Sequence, residues 1–386
     1  MTRTIEEINE KIKSGKAHVL TAQEAKSVIK EKGVSYLFQS TDVVTFASFE
    51  MHTDALVHLD FGQTDPLIYF SEAFINNVPA YPIGPTDLVV SVIAQARDNP
   101  QYSGSHILED LVNKKDLNLK TIGKNLEVFT NKEFETWFNL SQLNHGRLLL
   151  NQAVTQNNIV ATNSGTKDIN SHMGTLIAKM ENSTFNSSSY LNPLINDPYC
   201  KHIGIGTKIW IAGAQGLVIG HGSYHNPNQK RNNLGIPVGP ATTVSAITDI
   251  SDMSPKWVRG GYIKSFGPVL FIGVGIPIPL LDEETARNIS ITDENIHSTL
   301  VDFSIPRRTK PTFGQCTYEE LRTSTVVINK KPTLTAPLSS MSYAIEICSE
   351  LKKSITKGDF YLTKKTSDIS LSVELKKLDS RLKEMI

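Results

Sequence analysis

Three cysteines in 386 residues, Cys200, Cys316 and Cys348, are too few and too far apart for a CxxC pair or an iron–sulfur run. A reduced, cytoplasmic setting is the expectation. Charge of one sign is also missing, since 39 Lys and Arg stand against 39 Asp and Glu. Without a net field the chain concentrates neither phosphate backbones nor an anionic lipid surface, so neither nucleic acid nor membrane is expected as a partner. Long apolar runs are absent. The most hydrophobic stretch, VLFIGVGIPIPLL at 269–281, is short for a bilayer span and contains Pro277 and Pro279. It reads as a buried strand with a turn in a soluble protein. The opening MTRTIEEINEKIKSGK lacks the apolar stretch of a secretory signal. No GxGxxG joins a strand to a helix and no GxxxxGK(S/T) occurs, so both usual nucleotide cradles are unsupported.

What is present predicts a mixed α/β fold. Thr4 with Glu7 and Thr21 with Glu24 have the spacing of helix capping boxes, and Gly33 closes the second helix. Between residues 34 and 86, SYLFQ, DVVTFASF and ALVHLDFG read as strands among proline-marked loops. DLVVSVIAQARD and NKEFETWFNLSQLNHGRLLL read as helical, with a strand at Leu126–Phe129. The Asn/Ser/Thr-rich segment 161–190 is either a surface excursion or the lining of a polar pocket. Glycine-rich apolar pieces at 203–281 suit close backbone approach or ligand-facing turns. A strand at 324–328, a helix near 336–357 and Gly358 follow. The organisation is one compact unit, residues 1–365, with a C-terminal amphipathic helix at 366–386. There is no internal repeat.

FEMHTDALVHLDFGQTDP, residues 49–66, repeats His-x-Asp. On one extended strand residues two apart share a face, which would put His52, Asp54, His58 and Asp60 on one side. Such a face can act as base, acid or ligand, or be only solvated. A metal site would need further ligands, such as His106 or His225, and no HExxH supplies them. In GSHILED, His106 and Asp110 lie four apart beside Glu109, so that a carboxylate one helical turn away could fix the imidazole tautomer; a capped helix start is the alternative. GAQGLVIGHGSYHNP combines flexible backbone with Gln215, His221, His225 and Asn226, which suits ligand contacts or plain turn chemistry. Cys348 sits among apolar residues at helical spacing and reads as core.

Several pieces together resemble the homocysteine biosynthesis, sulfur-incorporation family: KIKSGKAHVLTAQE, FGQTDP, VPAY, GSHILEDLV, ATNSGT with MGTL, NDPYCKHIGIGTKIWIAGAQG, HNP, GIPVGPA, MSPKWVRG, GVGIPIPLLDEE and TAPLSS. They run in order from about residue 11 to 340. The resemblance implies aspartate-semialdehyde sulfurtransferase chemistry, in which a cysteine thiolate or persulfide delivers sulfur to an aldehyde and reduction yields a thiol such as homocysteine. It places the two reactive sulfur positions at His52 or Thr53 and at Val128, where this chain has no cysteine.

The expected function is therefore a divergent carbon–sulfur bond-forming transferase acting on a small aldehyde or amino-acid carbonyl. His52 with Asp54, and His106 with Glu109 and Asp110, are the candidates for moving protons. Thr53, Tyr81, Asn163, Ser164, Gln215, His225 and Asn226 are the candidates for holding substrate. No bound cofactor or metal is expected. Sulfur and electrons would come from an external donor and reductant, or from a sulfur-carrier or electron-donor protein, and the chain is expected to form a homo-oligomer. A non-catalytic binding subunit and a histidine-dependent metal lyase or hydrolase are the alternatives.

Overall fold

The computed structural model describes residues 3–373 and 376, and its elements follow the mixed α/β expectation. Both capping boxes form: α1 (Ile5–Lys13) and α2 (Ala22–Lys32) start at Thr4 and Thr21, whose hydroxyls accept from Glu7 and Glu24 amides while the carboxylates accept in return. Between them lies β1 (Val19–Thr21). Gly33, at φ 85°, ends α2 and turns the chain into α3 (Val34–Ser40). SYLFQ is thus helical, not a strand. The reason is visible in the sequence: Val34, Leu37 and Phe38 fall on one helical face, and the last two are buried.

β2 (Val43–His52) and β3 (Ala55–Asp60) follow, separated by a bend at Thr53-Asp54. The segments read as helical next are mostly extended. β4 (Phe70–Ile75), β5 (Val78–Pro82) and β6 (Asp87–Ser91) form a meander, and Leu88 and Val90 alternate inward with period two. After α4 (Gly104–Val112) come β7 (Leu117–Gly123), β8 (Glu133–Phe138) and β9 (His145–Thr155). NKEFETWFNLSQLNHGRLLL spans two strands joined by one short turn that Asn139 caps. Its helical look came from fusing two alternating patterns. Leu126–Phe129 forms no strand.

The chain continues through β10 (Val160–Thr162), β11 (Ile169–Ser171), β12 (Gly174–Leu176), β13 (Asn182–Phe185), α5 (Pro193–Asn196), β14 (Lys208–Ile211), β15 (Ala214–His221), β16 (Thr243–Asp249), β17 (Val258–Ile263) and β18 (Gly267–Pro279). Last come α6 (Glu283–Asn288), β19 (His297–Asp302), β20 (Thr312–Thr317), α7 (Tyr318–Arg322), β21 (Thr325–Ile328), β22 (Lys331–Pro337) and α8 (Met341–Lys357), with Gly358 in the left-handed region as its cap. Residues 366–373 are irregular and bridge to Ile205 through Ser367. The rest of the predicted C-terminal helix, 374–386, lies outside the described residues apart from Lys376. Among the described residues no helix is long and apolar enough to cross a membrane.

Two main sheets result. A 14-stranded sheet runs β1-β2-β18-β14-β15-β16-β9-β3-β6-β5-β4-β7-β8, with β17 paired to β18; a six-stranded sheet runs β20-β19-β10-β13-β22-β21. β18 is a single continuous strand, not a strand with a turn. Pro277 and Pro279 face Thr45 and Val43 of β2, beyond the point where β14 pairs on the other side, so no ladder donor is lost there. Its glycines permit close approach. A Cβ at Gly273 would meet Ile347 Cδ1 of α8 at 2.5 Å.

Gly260 of β17 is tighter still, because a Cβ there would lie 2.7 Å from the His106 ring and 2.9 Å from its Cα. Gly260→Val is expected to push α4 off the sheet and destabilise by roughly 1–3 kcal/mol, with His106→Ala at the same site partly restoring stability in a urea-unfolding double-mutant cycle.

Candidate active site

β2 pairs with β18 along its whole length, ending at His52 opposite Leu270. The bend that follows is tied to β9: Asp54 Oδ1 accepts from Asn151 Nδ2 at 2.9 Å, and the Asn151 amide donates to the Asp54 carbonyl at 3.0 Å. β3 then pairs with β9 and β6, not with β2. The single loaded face expected from the sequence is therefore split between two strands. His58 pairs with Asp87 at 3.2 Å and Asp60 accepts from the Gly62 amide, both on the outer side of β3.

What β2 carries inward is a different pair. Glu50 and His52, two apart and hence on one face, are only 5% and 6% exposed. They line a cavity of about 460 Å³ between the two sheets. Thr53, Gln152 and Thr155 close it from the large sheet, and His172 and Met173 from the β11–β12 turn. Asn186 after β13, Tyr224, and Phe266 from the β17–β18 turn complete it.

Glu50 Oε1 accepts from both the amide and the hydroxyl of Ser188, at 3.0 and 3.1 Å. Burial pushes its carboxyl up to about 7, with the two Ser188 bonds pulling the other way. Burial holds His52 down at about 4, against a hydrogen bond from its ring to the Gln152 backbone. Its Nε2 is buried and has no hydrogen-bond partner among the described residues, so in the tautomer that carries the ring proton on Nδ1 it is a free acceptor. Asn186 Oδ1 is likewise buried and unpaired among the described residues. Unpaired buried acceptors are uncommon in native proteins, and two of them line this one cavity. The His172 ring lies tilted against those of Phe266 and Phe303, and burial lowers its pKa as well.

The other predicted residues lie elsewhere. His106 Nδ1 bonds to Ser103 Oγ at 3.0 Å, while Glu109 accepts from the Gly260 amide and Asp110 from Tyr102 and Lys115. Neither carboxylate touches the imidazole. His225 is held as a neutral ring: Nδ1 accepts from the Thr243 amide at 3.1 Å and Nε2 donates to the Ser370 carbonyl at 2.7 Å. The Asn226 amide donates to Ala241, and Gln215 donates to the Asp359 carbonyl. Asn163 is buried and fully bonded to Lys167, Leu176 and Gly165, and Ser164 bonds Asp302. Tyr81 is 59% exposed on β5. His52, His106 and His225 thus face separate regions, and only His52 and Thr53 of the predicted set line the cavity. The Asn/Ser/Thr-rich segment does supply pocket lining, through His172 and Asn186. Sequence reading missed Glu50, although the period-two rule that grouped His52 with Asp54 also groups it with Glu50.

All three cysteines are buried and none lines the cavity. Burial pushes Cys316 and Cys348 up to about 12 and raises Cys200 further, so none is a thiolate near neutral pH. Val128 is 74% exposed in the loop between β7 and β8, away from the cavity lining. Among the described residues no three His, Cys, Asp or Glu side chains converge as a metal site would require.

The family described as "Homocysteine biosynthesis enzyme, sulfur-incorporation" matches residues 17–362. The chain belongs to this enzyme family. The L-aspartate semialdehyde sulfurtransferase of Methanosarcina acetivorans is 32% identical over 371 residues, covering 95% of this chain and 72% of the relative. The L-aspartate semialdehyde sulfurtransferase of Methanocaldococcus jannaschii is 33% identical over 385 residues, covering 95% and 73%. Both named relatives are transferases. No solved structure matches the chain.

The Glu50 carboxyl titrates higher folded, at about 7, than its ordinary 4.5, so the stability of the protonated form is full below 4.5 and lost as pH rises to 7. That loss is roughly 3 kcal/mol at 1.36 kcal/mol per pH unit. Glu50→Gln keeps an acceptor for Ser188 without the charge. It is expected to be more stable than the parent at pH 8 and equal to it at pH 4.5, as read by urea unfolding at the two values.

Proposed function

We propose that the chain is a sulfurtransferase-type enzyme that forms a carbon–sulfur bond on a small aldehyde, of the amino-acid semialdehyde class that its named relatives use, with a sulfur nucleophile supplied from outside the chain. The observation that carries this reading is the Glu50–His52 pair, a buried acid and a buried base sharing one strand face and one cavity. Their environments push the two pKa values in opposite directions, which assigns the roles: Glu50 holds a proton near neutral pH, and His52 lacks one.

Ser188 occupies Glu50 Oε1, so the acidic proton resides on Oε2, where it can hydrogen-bond the carbonyl oxygen of a bound aldehyde. An incoming sulfide, HS–H, gives its proton to His52 Nε2 as sulfur bonds to the carbonyl carbon. The carbonyl π pair takes the Glu50 proton, and the product is a geminal hydroxythiol. His52 is then imidazolium and Glu50 carboxylate, and proton return from one to the other resets the pair. Loss of water and two-electron reduction by an external donor complete conversion to the thiol. Asn186 Oδ1, unpaired and buried, is placed in this reading to accept from the α-ammonium of the substrate. In this reading His52, which with Thr53 stands where the resemblance places one sulfur position, acts as a general base in place of a covalent sulfur carrier.

Incubation with aspartate semialdehyde, sulfide and a reductant, followed by mass spectrometry, is expected to reveal homocysteine. His52→Ala and Glu50→Gln should each lower turnover by about 10²–10⁴-fold, the usual worth of a positioned acid or base. The kcat/KM profile should be bell-shaped, rising through about 4 as His52 loses its proton and falling through about 7 as Glu50 loses its own. His106→Ala and His225→Ala variants that remain folded should retain the profile; a flat profile, or full activity in His52→Ala, contradicts the assignment.

A further inference from the structure

The segment that carries Ser188 divides two cavities. Asn186 lines the cavity of Glu50 and His52, and Ser188 donates to Glu50. Ser187 and Ser189, the residues on either side of Ser188, instead line a second cavity of about 220 Å³. It lies among β13, α7, β22 and the start of α8 and shares no lining residue with the first. Its volume falls below the roughly 300–1,000 Å³ of drug-sized sites, so an occupant has only a few heavy atoms.

The walls of this second cavity hold hydrogen-bond donors that the fold leaves unspent. Tyr318 is fully buried, and its hydroxyl has no partner among the described residues. The hydroxyls of Ser187 and Ser298 lie beside it without meeting hydrogen-bond geometry. Ser187 Oγ accepts from the Ser189 amide at 3.2 Å and keeps its own proton to give. Arg322, four residues after Tyr318 and so on the same face of α7, donates Nη1 to Asp293 Oδ2 at 2.7 Å and makes no other hydrogen bond among the described residues. The acceptors nearby are already engaged. Asp293 Oδ1 takes the Ser189 hydroxyl and the Tyr190 amide, the Ser187 carbonyl takes Ser339, and the Leu321 carbonyl takes Thr335. A site with donors in excess of acceptors, one of them a guanidinium, suits an anion. Because Asp293 offsets most of the Arg322 charge, one negative charge fits and the two of a phosphate ester do not. The rest of the lining includes Phe185, Leu321 and Met341, which suits a short aliphatic chain.

We propose that this second cavity binds a small monocarboxylate with a short aliphatic chain, its oxygens taking the donors of Tyr318, Ser187 and Arg322 and its chain lying against Phe185, Leu321 and Met341. The site is independent of the carbon–sulfur chemistry proposed for the first cavity. Its occupant packs against Ser187 and Ser189, the neighbours of the serine that holds Glu50.

The test adds butyrate to the full chain carrying carbon-13 in its methionine methyl groups. Met341 lines this cavity, whereas Met51 and Met173 line the other, so one NMR titration reads both. The Met341 signal is assigned by its loss in Met341→Leu. It should shift saturably with butyrate and stay in place with butyramide, the uncharged isostere. Tyr318→Phe removes only the unpartnered hydroxyl and should raise the half-saturating concentration about threefold or more; Arg322→Gln should raise it about tenfold or more, as the loss of a neutral and of a charge-assisted hydrogen bond implies. An unmoved Met341 signal, an equal response to butyramide, or unchanged saturation in either variant overturns the proposal. Shifts confined to Met51 and Met173 place the carboxylate beside Glu50 and overturn it equally.

Discussion

Two ionisable groups buried side by side at the end of β2 govern this molecule. A carboxyl and an imidazole that each keep only a few per cent of their surface exposed cannot both be charged without a large desolvation penalty, and among the described residues no cation is paired with Glu50 to offset one. The fold meets this constraint by holding both neutral. Ser188 satisfies one oxygen of Glu50, and His52 Nε2, without a partner among the described residues, is left to the cavity or to what enters it. The surrounding architecture serves to hold that arrangement: β18 fixes β2 in register up to its last residue, and the Asp54–Asn151 bond turns the chain away immediately afterwards.

In the proposed reaction, the pair does on a scaffold of the sulfur-incorporation family what a reactive cysteine on the chain would otherwise do. The three thiols present are core residues whose burial disfavours the thiolate, and the two positions that resemblance assigns to sulfur hold an imidazole or hydroxyl and an exposed valine. Persulfide chemistry needs a nucleophilic sulfur on the chain. A base and an acid flanking a carbonyl need only a diffusible one. In the proposed reaction the aldehyde meets a protonated Glu50 and a neutral His52, with Phe266 and Met173 in the apolar part of the lining.

How much of this was readable from the residues depends on the range over which each signal acts. Helix caps are local, and Thr4–Glu7, Thr21–Glu24 and Gly358 came out as their spacing implied. Short alternating runs such as FETWF and DLVVS were confused with helices because two strands joined by a tight turn mimic a mixed period. The bend at Thr53-Asp54 was invisible, since it depends on Asn151, almost a hundred residues away. That one long-range bond separates His52 from His58 and dissolves the four-residue face. His52 and Thr53 could be singled out because the resemblance places a sulfur position there, and both line the cavity. His106 and His225 had no such support, and their bonds to Ser103, Thr243 and Ser370 are set by tertiary packing that spacing does not encode. Glu50 was within reach of the same parity rule and stands in the same short stretch.

The central claim is that His52 remains a neutral base with a free Nε2 in a cavity that takes an aldehyde. It is tested most directly by nitrogen-15 NMR of histidine-labelled protein across pH, with and without aspartate semialdehyde. The account predicts one ring that stays unprotonated down to about pH 4, with Nδ1 protonated and Nε2 bare, and whose Nε2 signal shifts on adding the aldehyde. A His52 ring that titrates near its ordinary value of 6.5, or that is indifferent to the aldehyde, would contradict it.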